Sequence, residues 1–199
     1  MSACKAETTT VLLCGVGGQG TILAADLLAK TAIAAGCKVK LSEVHGMSQR
    51  GGAVTTVVRF GEDVSSMVTD LGCADYIIAF ETTEALRNAP YLKEGGMLLV
   101  NDESIKPLPV LTGSASMPEN ARERLSELGA VLVPAGTIAS GAGSSKSTNV
   151  VLLGALASGM GFDLSLWEEQ IAKRVPPKTV DVNIEAFRAG AAAAQGVRA

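Results

Sequence analysis

A hydrophobic run, Val11-Leu12-Leu13-Cys14, passes directly into Gly15-Val16-Gly17-Gly18-Gln19-Gly20 and then into a helical pattern that begins at Thr21. Strand, glycine loop and helix in this order commit the first thirty residues to an α/β design. The spacing is G-x-G-x-x-G, in which glycines permit a tight turn and close backbone approach to a ligand. The helix that follows offers unpaired N–H groups to an anion. Glu43, at the end of the next strand-like run, stands about where a ribose-binding acid would sit, so the loop taken alone favours NAD. Glycines at such a place also serve merely to turn a strand into a helix, and that reading stays open.

The rest of the chain continues the alternation. Strand-like runs fall at Val11–Gly15, Lys38–Glu43, Ala53–Phe60, Tyr76–Phe80, Met97–Asn101 and Val131–Pro134. Tyr76–Phe80 and Met97–Val100 are apolar without alternation, as strands buried on both faces should be, whereas Ala53–Phe60 alternates and suits a place nearer an edge. Helical patterns cover Thr21–Ala35, Thr83–Leu92 and Glu119–Leu128, stopped by Gly36, Gly95-Gly96 and Gly129. The fold expected is therefore α/β, a doubly wound, mostly parallel, Rossmann-like sheet with helices on both faces. The last third is helical: Asn149–Met160, Ser165–Arg174 and Val180–Ala194. Asn149–Met160 is small and apolar throughout, which suits a helix packed into the core or against a neighbour. Asp102–Pro118, rich in Pro and Ser, reads as an excursion from the domain.

Composition narrows the classes. In 199 residues, 47% hydrophobic and 19% charged, there is enough apolar material for one sizeable core and no case for disorder, so a single domain over 1–199 is expected. A net charge of −3 leaves no footprint for nucleic acid or an anionic membrane. No apolar run reaches the ~18 residues of a spanning helix, and the first seven residues lack a signal-peptide core. A soluble, cytoplasmic protein is expected. Cys4, Cys14, Cys37 and Cys73 are scattered and read as reduced thiols, without the clustering that zinc or iron–sulfur ligation needs, so no metal is expected on this chain.

A solitary dehydrogenase needs an acid/base beside its cofactor. The chain has one histidine, His45, and no Tyr-x-x-x-Lys pair follows Tyr76 or Tyr91. Lys146-Ser147-Thr148 resembles the end of a P-loop, but Ser145 occupies the second glycine position. A second stretch carries more: Ser42-Glu43-Val44-His45-Gly46-Met47-Ser48-Gln49-Arg50-Gly51-Gly52. It is polar, has a Gly-Gly pair and an arginine, and follows the second strand. A doubly wound sheet would place it at the carboxyl edge beside the first loop, where a binding surface is typical, although an ordinary surface loop reads the same way.

Together, Val-Gly-Gly-Gln-Gly after the first strand and Glu-Val-His-Gly-Met-Ser-Gln-Arg-Gly-Gly after the second resemble the gamma-type subunits and domains of 2-oxoacid:ferredoxin oxidoreductases. The wording of the second motif is most like the beta subunit of the indolepyruvate branch of that family. Lys146, Asn149 with Leu153-Gly154-Ala155-Leu156, and Asn183 with Ala186-Phe187 and Gly190 extend the resemblance over almost the whole chain. It implies a non-thiamine subunit of an enzyme that converts a 2-oxoacid and CoA to acyl-CoA and CO2, with electrons passed to ferredoxin. Thiamine diphosphate and iron–sulfur clusters would reside in a partner alpha subunit, and this chain would hold no cofactor and be inactive alone. CoA, the cosubstrate, would lie against Gly15, Gly17, Gly18, Gln19 and Gly20 of the first loop and Ser48, Gln49, Arg50, Gly51 and Gly52 of the second. Arg50 is the candidate for a CoA phosphate. Val150–Met160 and the His45–Gly52 loop are the candidates for the contact with the thiamine subunit. The alternative is a free-standing nucleotide- or CoA-binding Rossmann-like protein, with an NAD-dependent dehydrogenase behind it.

Overall fold

The structure, a computed structural model, describes Cys4, residues 7–45 and residues 52–197. Its centre is β1 (Thr9–Val16), all eight of whose residues are buried. Around it lie β2 (Lys38–His45), β3 (Ala53–Gly61), β4 (Ala74–Ala79), β5 (Leu92–Asn101) and β6 (Val131–Val133), in the order β2-β3-β1-β4-β5-β6. β1, β4, β5 and β6 run parallel to one another. β3 is antiparallel to both β1 and β2. The mostly parallel sheet expected from the sequence is present, with one reversed strand inserted beside its centre.

Burial explains the strand chemistry. Ile77, Ile78, Leu99 and Val100 are fully enclosed because helices cover both sheet faces at β4 and β5. Each such side chain contributes about 1.5–3 kcal/mol relative to exposure. β3 alternates half-buried and buried residues, as a strand with one covered face does. Val58 and Phe60 join Val11, Leu13, Ile78 and Leu99 in the larger core cluster, beneath α1 (Thr21–Ala34), α6 (Thr148–Ala157), α7 (Leu164–Arg174) and α8 (Val180–Val197). Leu12, Cys14, Ile77 and Leu98 point the other way, toward Ala85 of α2 (Thr82–Asn88) and Leu125 of α4 (Ala121–Glu127).

The element boundaries differ from expectation in three places. The helix expected to run to Leu92 ends at Asn88, and a single 3-10 turn with Pro90 leads into β5. Pro90 removes a backbone donor and disfavours helix before it. Gly95 and Gly96, read as a helix stop, instead lie within β5. Gly95 has φ +74°, and a Cβ on Gly96 would come 2.9 Å from the carbonyl oxygens of Asp75 and Lys93, beside a register shift between β4 and β5. A helix absent from the sequence reading, α5 (Ala135–Gly141), packs Ala135 and Ala139 inward, and α3 (Leu108–Leu111) is a single turn inside the Asp102–Pro118 excursion. The thiol expectation also needs correction: Cys4 and Cys37 form a disulfide, with Cα atoms 5.3 Å apart, which ties the segment before β1 to the start of β2. Cys14 and Cys73 are free. No helix among the described residues is long and apolar enough to cross a membrane.

The small apolar helix resolves to the core. Val150 through Leu156 of α6 are enclosed within this chain, so Val150–Met160 is not a surface for a partner, contrary to expectation. Its small residues serve the crossing with α8. A Cβ on Gly154 would lie 1.9 Å from the carbonyl oxygen of Phe187, and one on Gly190 would lie 2.0 Å from that of Val151. Each helix thus brings a glycine to the other's backbone. Gly154→Ala therefore should push the two helices apart. The expected cost is about 3 kcal/mol. For a chain of this length that is roughly 6–12 °C in melting temperature. Thermal denaturation followed by circular dichroism measures it, and an unchanged midpoint would contradict the crossing described.

Candidate functional site

At the carboxyl edge of the sheet, the first glycine loop is held by its own glutamine. Gln19 Oε1 accepts the Val16 N–H at 2.8 Å, and Nε2 donates to the Phe80 carbonyl at 3.1 Å. The same carbonyl accepts Asn101 Nδ2 at 3.2 Å, and Asn101 Oδ1 accepts the Ala135 N–H at 3.2 Å. The half-buried Gln19 amide and the buried Asn101 amide thereby tie the ends of β1, β4 and β5 to the start of α5. Gly15 is required by this arrangement, since a Cβ there would meet Gln19 Oε1 at 2.6 Å and Phe80 Cβ at 2.9 Å.

Gly20 is the N-cap of α1 at φ +81°, a left-handed conformation that favours glycine, and no side chain caps the helix. Its α carbon lies against Asn149: a Cβ would stand 2.7 Å from Asn149 Nδ2, which donates to the Gly20 carbonyl at 3.4 Å. Gly18, at φ +100°, has open space where its side chain would be. The uncapped first turn of α1 and the bare Gly18 face a cleft of about 600 Å³. Leu23, Phe80 and Ile105 supply its apolar wall, and Glu103, Lys146 and Asn149 its polar one. Lys146 rises from a 3-10 turn, Ser145–Ser147, that leads into α6. That turn follows α5 rather than a strand, so no P-loop is formed.

The second loop returns beside the first. Because β3 is antiparallel to β1, with Ala53 opposite Val16, the connection from β2 arrives at the carboxyl end of β1. The Gly17 N–H donates to the Gly52 carbonyl at 2.9 Å. Gly15, Gly17, Gly18, Gln19, Gly20 and Gly52 therefore stand together. Ser48, Gln49, Arg50 and Gly51 lie outside the described residues. Gln19 is spent on loop geometry, and Lys146, absent from the set of site residues expected from the sequence, enters the cleft. Its spacing of three from Asn149 across the start of a helix is the signal that points to it.

β3 also removes the acid that an NAD site needs. Glu43 pairs with Thr56 of β3, and Thr56 pairs with Leu13 of β1. The carboxylate strand is thus two strand spacings, roughly 10 Å, from the glycine-loop strand rather than one.

Below the loop, on the α2 face, sits a buried acidic pair. Glu81 caps α2, accepting the Thr83 N–H at 3.1 Å and also the Glu84 N–H. Glu84 is 4% exposed, with Arg87 Nε 3.4 Å from one oxygen and no partner for the other. Burial pushes its carboxyl above the ordinary value of 4.5, Arg87 opposing the rise and Glu81 adding to it. Cys14 Sγ donates to the Glu84 carbonyl at 3.6 Å. Burial first, then the charges of Glu84 and Glu81, hold this thiol well above its usual range, which suits an inert core residue rather than a nucleophile. Among the described residues, no group of three or more His, Cys, Asp or Glu is placed to hold a metal ion.

Comparison with known proteins follows the same lines. Residues 10–193 match the family model described as pyruvate ferredoxin/flavodoxin oxidoreductase. The indolepyruvate oxidoreductase subunit IorB of Thermococcus kodakarensis is 46% identical over 194 residues, covering 93% of this chain and 95% of that protein. The common subunit gamma of the pyruvate/ketoisovalerate oxidoreductases of Thermococcus litoralis is 31% identical over 150 residues, covering 74% and 76%. The crystal structure of a keto/oxoacid ferredoxin oxidoreductase gamma subunit from Geobacter sulfurreducens superimposes with a TM-score of 0.71 at 26% identity, over 94% of this chain and 99% of that one. The chain belongs to the pyruvate ferredoxin/flavodoxin oxidoreductase family.

The buried carboxyl makes a pH prediction. A group whose pKa is raised by folding favours the folded state fully below its unfolded value. That contribution is lost as pH rises through its folded value. Stability should therefore fall from about pH 4.5 upward through the raised value of Glu84, to the extent that this group contributes. Glu84→Gln should remove that slope and melt higher than the parent at pH 7. Paired thermal scans across pH 4 to 8 measure it, and a variant less stable at pH 7 with the slope retained would contradict the assignment.

Proposed function

We propose that this chain is the CoA-side, non-thiamine subunit of a 2-oxoacid:ferredoxin oxidoreductase that acts on aryl pyruvates, indolepyruvate above all. The reaction takes a 2-oxoacid anion, CoA and two oxidised ferredoxin centres to acyl-CoA, CO2, two reduced centres and a proton, the one lost from the CoA thiol. What carries the reading is the junction of the two glycine loops, Gly17 to Gly52, at the mouth of a cleft that holds an uncapped helix N-terminus and a lysine. The name of the 46% identical relative supports the choice of indolepyruvate.

The chemistry divides accordingly. Thiamine diphosphate supplies the decarboxylation and iron–sulfur clusters carry the electrons, both in the alpha subunit. The four cysteines of this chain do not suit a cluster: two are bonded to each other, one is sealed in the core, and one is alone on the surface. The chain's task is to hold CoA with its thiol toward the partner. The pyrophosphate of CoA fits the α1 N-terminus, where Gly18 leaves room for close approach and Lys146 offers a cation. Phe80, Leu23 and Ile105 suit the apolar pantetheine arm. Arg50, with Ser48, Gln49 and Gly51 around it, is assigned to the 3′-phosphate. The β2–β3 loop that carries Arg50 is also assigned to the contact with the alpha subunit. The oxoacid pocket belongs mainly to that partner.

Arg50→Ala removes a charge-assisted hydrogen bond, about 1.5–3 kcal/mol. That is roughly a tenfold to hundredfold rise in the apparent Michaelis constant for CoA. The constant for indolepyruvate should change little, and Arg50→Lys should recover only part of the loss, because an ammonium lacks the planar fork. Steady-state kinetics on a complex first shown intact by gel filtration measures this. An unchanged CoA constant in an intact complex would remove Arg50 from the site. A large thermal shift of the chain with NAD and none with CoA would favour the nucleotide-binding alternative instead.

A further inference from the structure

The residues that leave β5 form a strap between two clefts. Glu103 and Ile105 line the glycine cleft, whereas Ser104 and Lys106 line a second cleft of about 410 Å³ on the α2 side. The strap is pinned by the Thr82 N–H, which donates to the Glu103 carbonyl at 2.9 Å. Across the second cleft stand Thr82, Thr83, Asn120 and Arg122.

The polar groups of this cleft are under-committed. The Lys106 ammonium makes no ion pair among the described residues. Arg122 gives its Nε to Asp102 Oδ1 at 2.5 Å, and this is the nitrogen the ion pair uses. The terminal nitrogens of its planar fork are left for a further acceptor. Thr83 Oγ1 is shut off from solvent and has no hydrogen-bond partner, and Thr82 is 2% exposed. Asn120 holds φ +51°, a left-handed conformation, at the rim. Glu123 is the one carboxylate lining the cleft, and it is solvent-exposed. Two cations and an amide line a small open volume, a set that matches the oxygens of a tetrahedral oxyanion.

We propose that this second cleft binds a phosphate group, with Lys106 and Arg122 as its cations and Asn120 at its rim. The site does not rest on the CoA reading. It lies on the far side of the strap from the glycine cleft, so a phosphate held here and a ligand held there touch alternate residues of the same four. The source is either a phosphate of the molecule in the glycine cleft or a separate phosphate compound.

Titration of the full-length, isotope-labelled chain with inorganic phosphate, at constant ionic strength in chloride, tests it by amide NMR. Saturable shifts are expected at Thr83, Lys106 and Arg122, with affinity at least tenfold weaker in Lys106→Ala and abolished in Lys106→Glu. Because Lys106 is exposed, both variants should fold, and their unperturbed spectra elsewhere verify it. Arg122→Gln should weaken phosphate binding as well. Absence of saturable shifts, or equal affinity in parent and Lys106→Ala, would overturn the proposal. Displacement of phosphate by CoA but not by dephospho-CoA identifies the 3′-phosphate as the source and takes that group away from Arg50. Displacement by neither identifies a separate compound. If CoA gives no shifts at Gly18 or Lys146 while phosphate still binds at Lys106, the CoA reading fails and the phosphate site stands.

Discussion

The reversed strand β3 is the constraint from which the site follows. A right-handed crossover from β1 through α1 would ordinarily set β2 next to β1. Here β3 takes that place, pairing with β1 over eight positions and with β2 over eight more. A strand that enters beside the end of β1 and runs backwards must bring the preceding loop to the carboxyl edge. The Gly17–Gly52 hydrogen bond records that meeting. The same insertion moves Glu43 out of reach of a ribose, so one topological choice both brings Gly52 to the first glycine loop and disfavours the dinucleotide use of its glycine motif.

The cleft is held from below by side-chain amides rather than by charge. Gln19 and Asn101 converge on the Phe80 carbonyl and leave the α1 N-terminus as the uncommitted dipole of the edge. Such amides cost little to bury when each group is paired, and they fix a loop more tightly than glycines alone would. Asn149 adds a brace from α6, whose own position depends on the glycine-to-backbone crossing with α8. The C-terminal helices thus act on the site through packing, although they contribute only Lys146, Asn149 and their neighbours to its surface.

Much of this was legible in the residues. Apolar runs without alternation marked β4 and β5, alternation marked β3, and strand–glycine–helix spacing marked the first loop. Strand order was not legible, because alternation reveals a half-covered face and says nothing of direction. α5 was hidden by its glycines and serines, which look like a loop until Ala135 and Ala139 find a core. Gly95 and Gly96 resembled a helix stop because a strand bulge and a C-cap both use left-handed glycine. Cys4 and Cys37, with a sequence separation of 33, could be paired only by the fold. Gln19, read as a ligand contact, lines the cleft while its amide also bonds Val16 and Phe80, and Lys146 joined the cleft only where separate strand and helix ends converge.

Hydrogen–deuterium exchange on the intact complex, with and without CoA, tests the central claim most directly. Exchange slows wherever a ligand closes backbone amides off from water. The account predicts slower exchange with CoA at residues 16–23 and 45–52, and around Lys146, with the α6–α8 crossing unchanged. CoA-dependent protection confined to the partner subunit, with these segments unaltered, would contradict it.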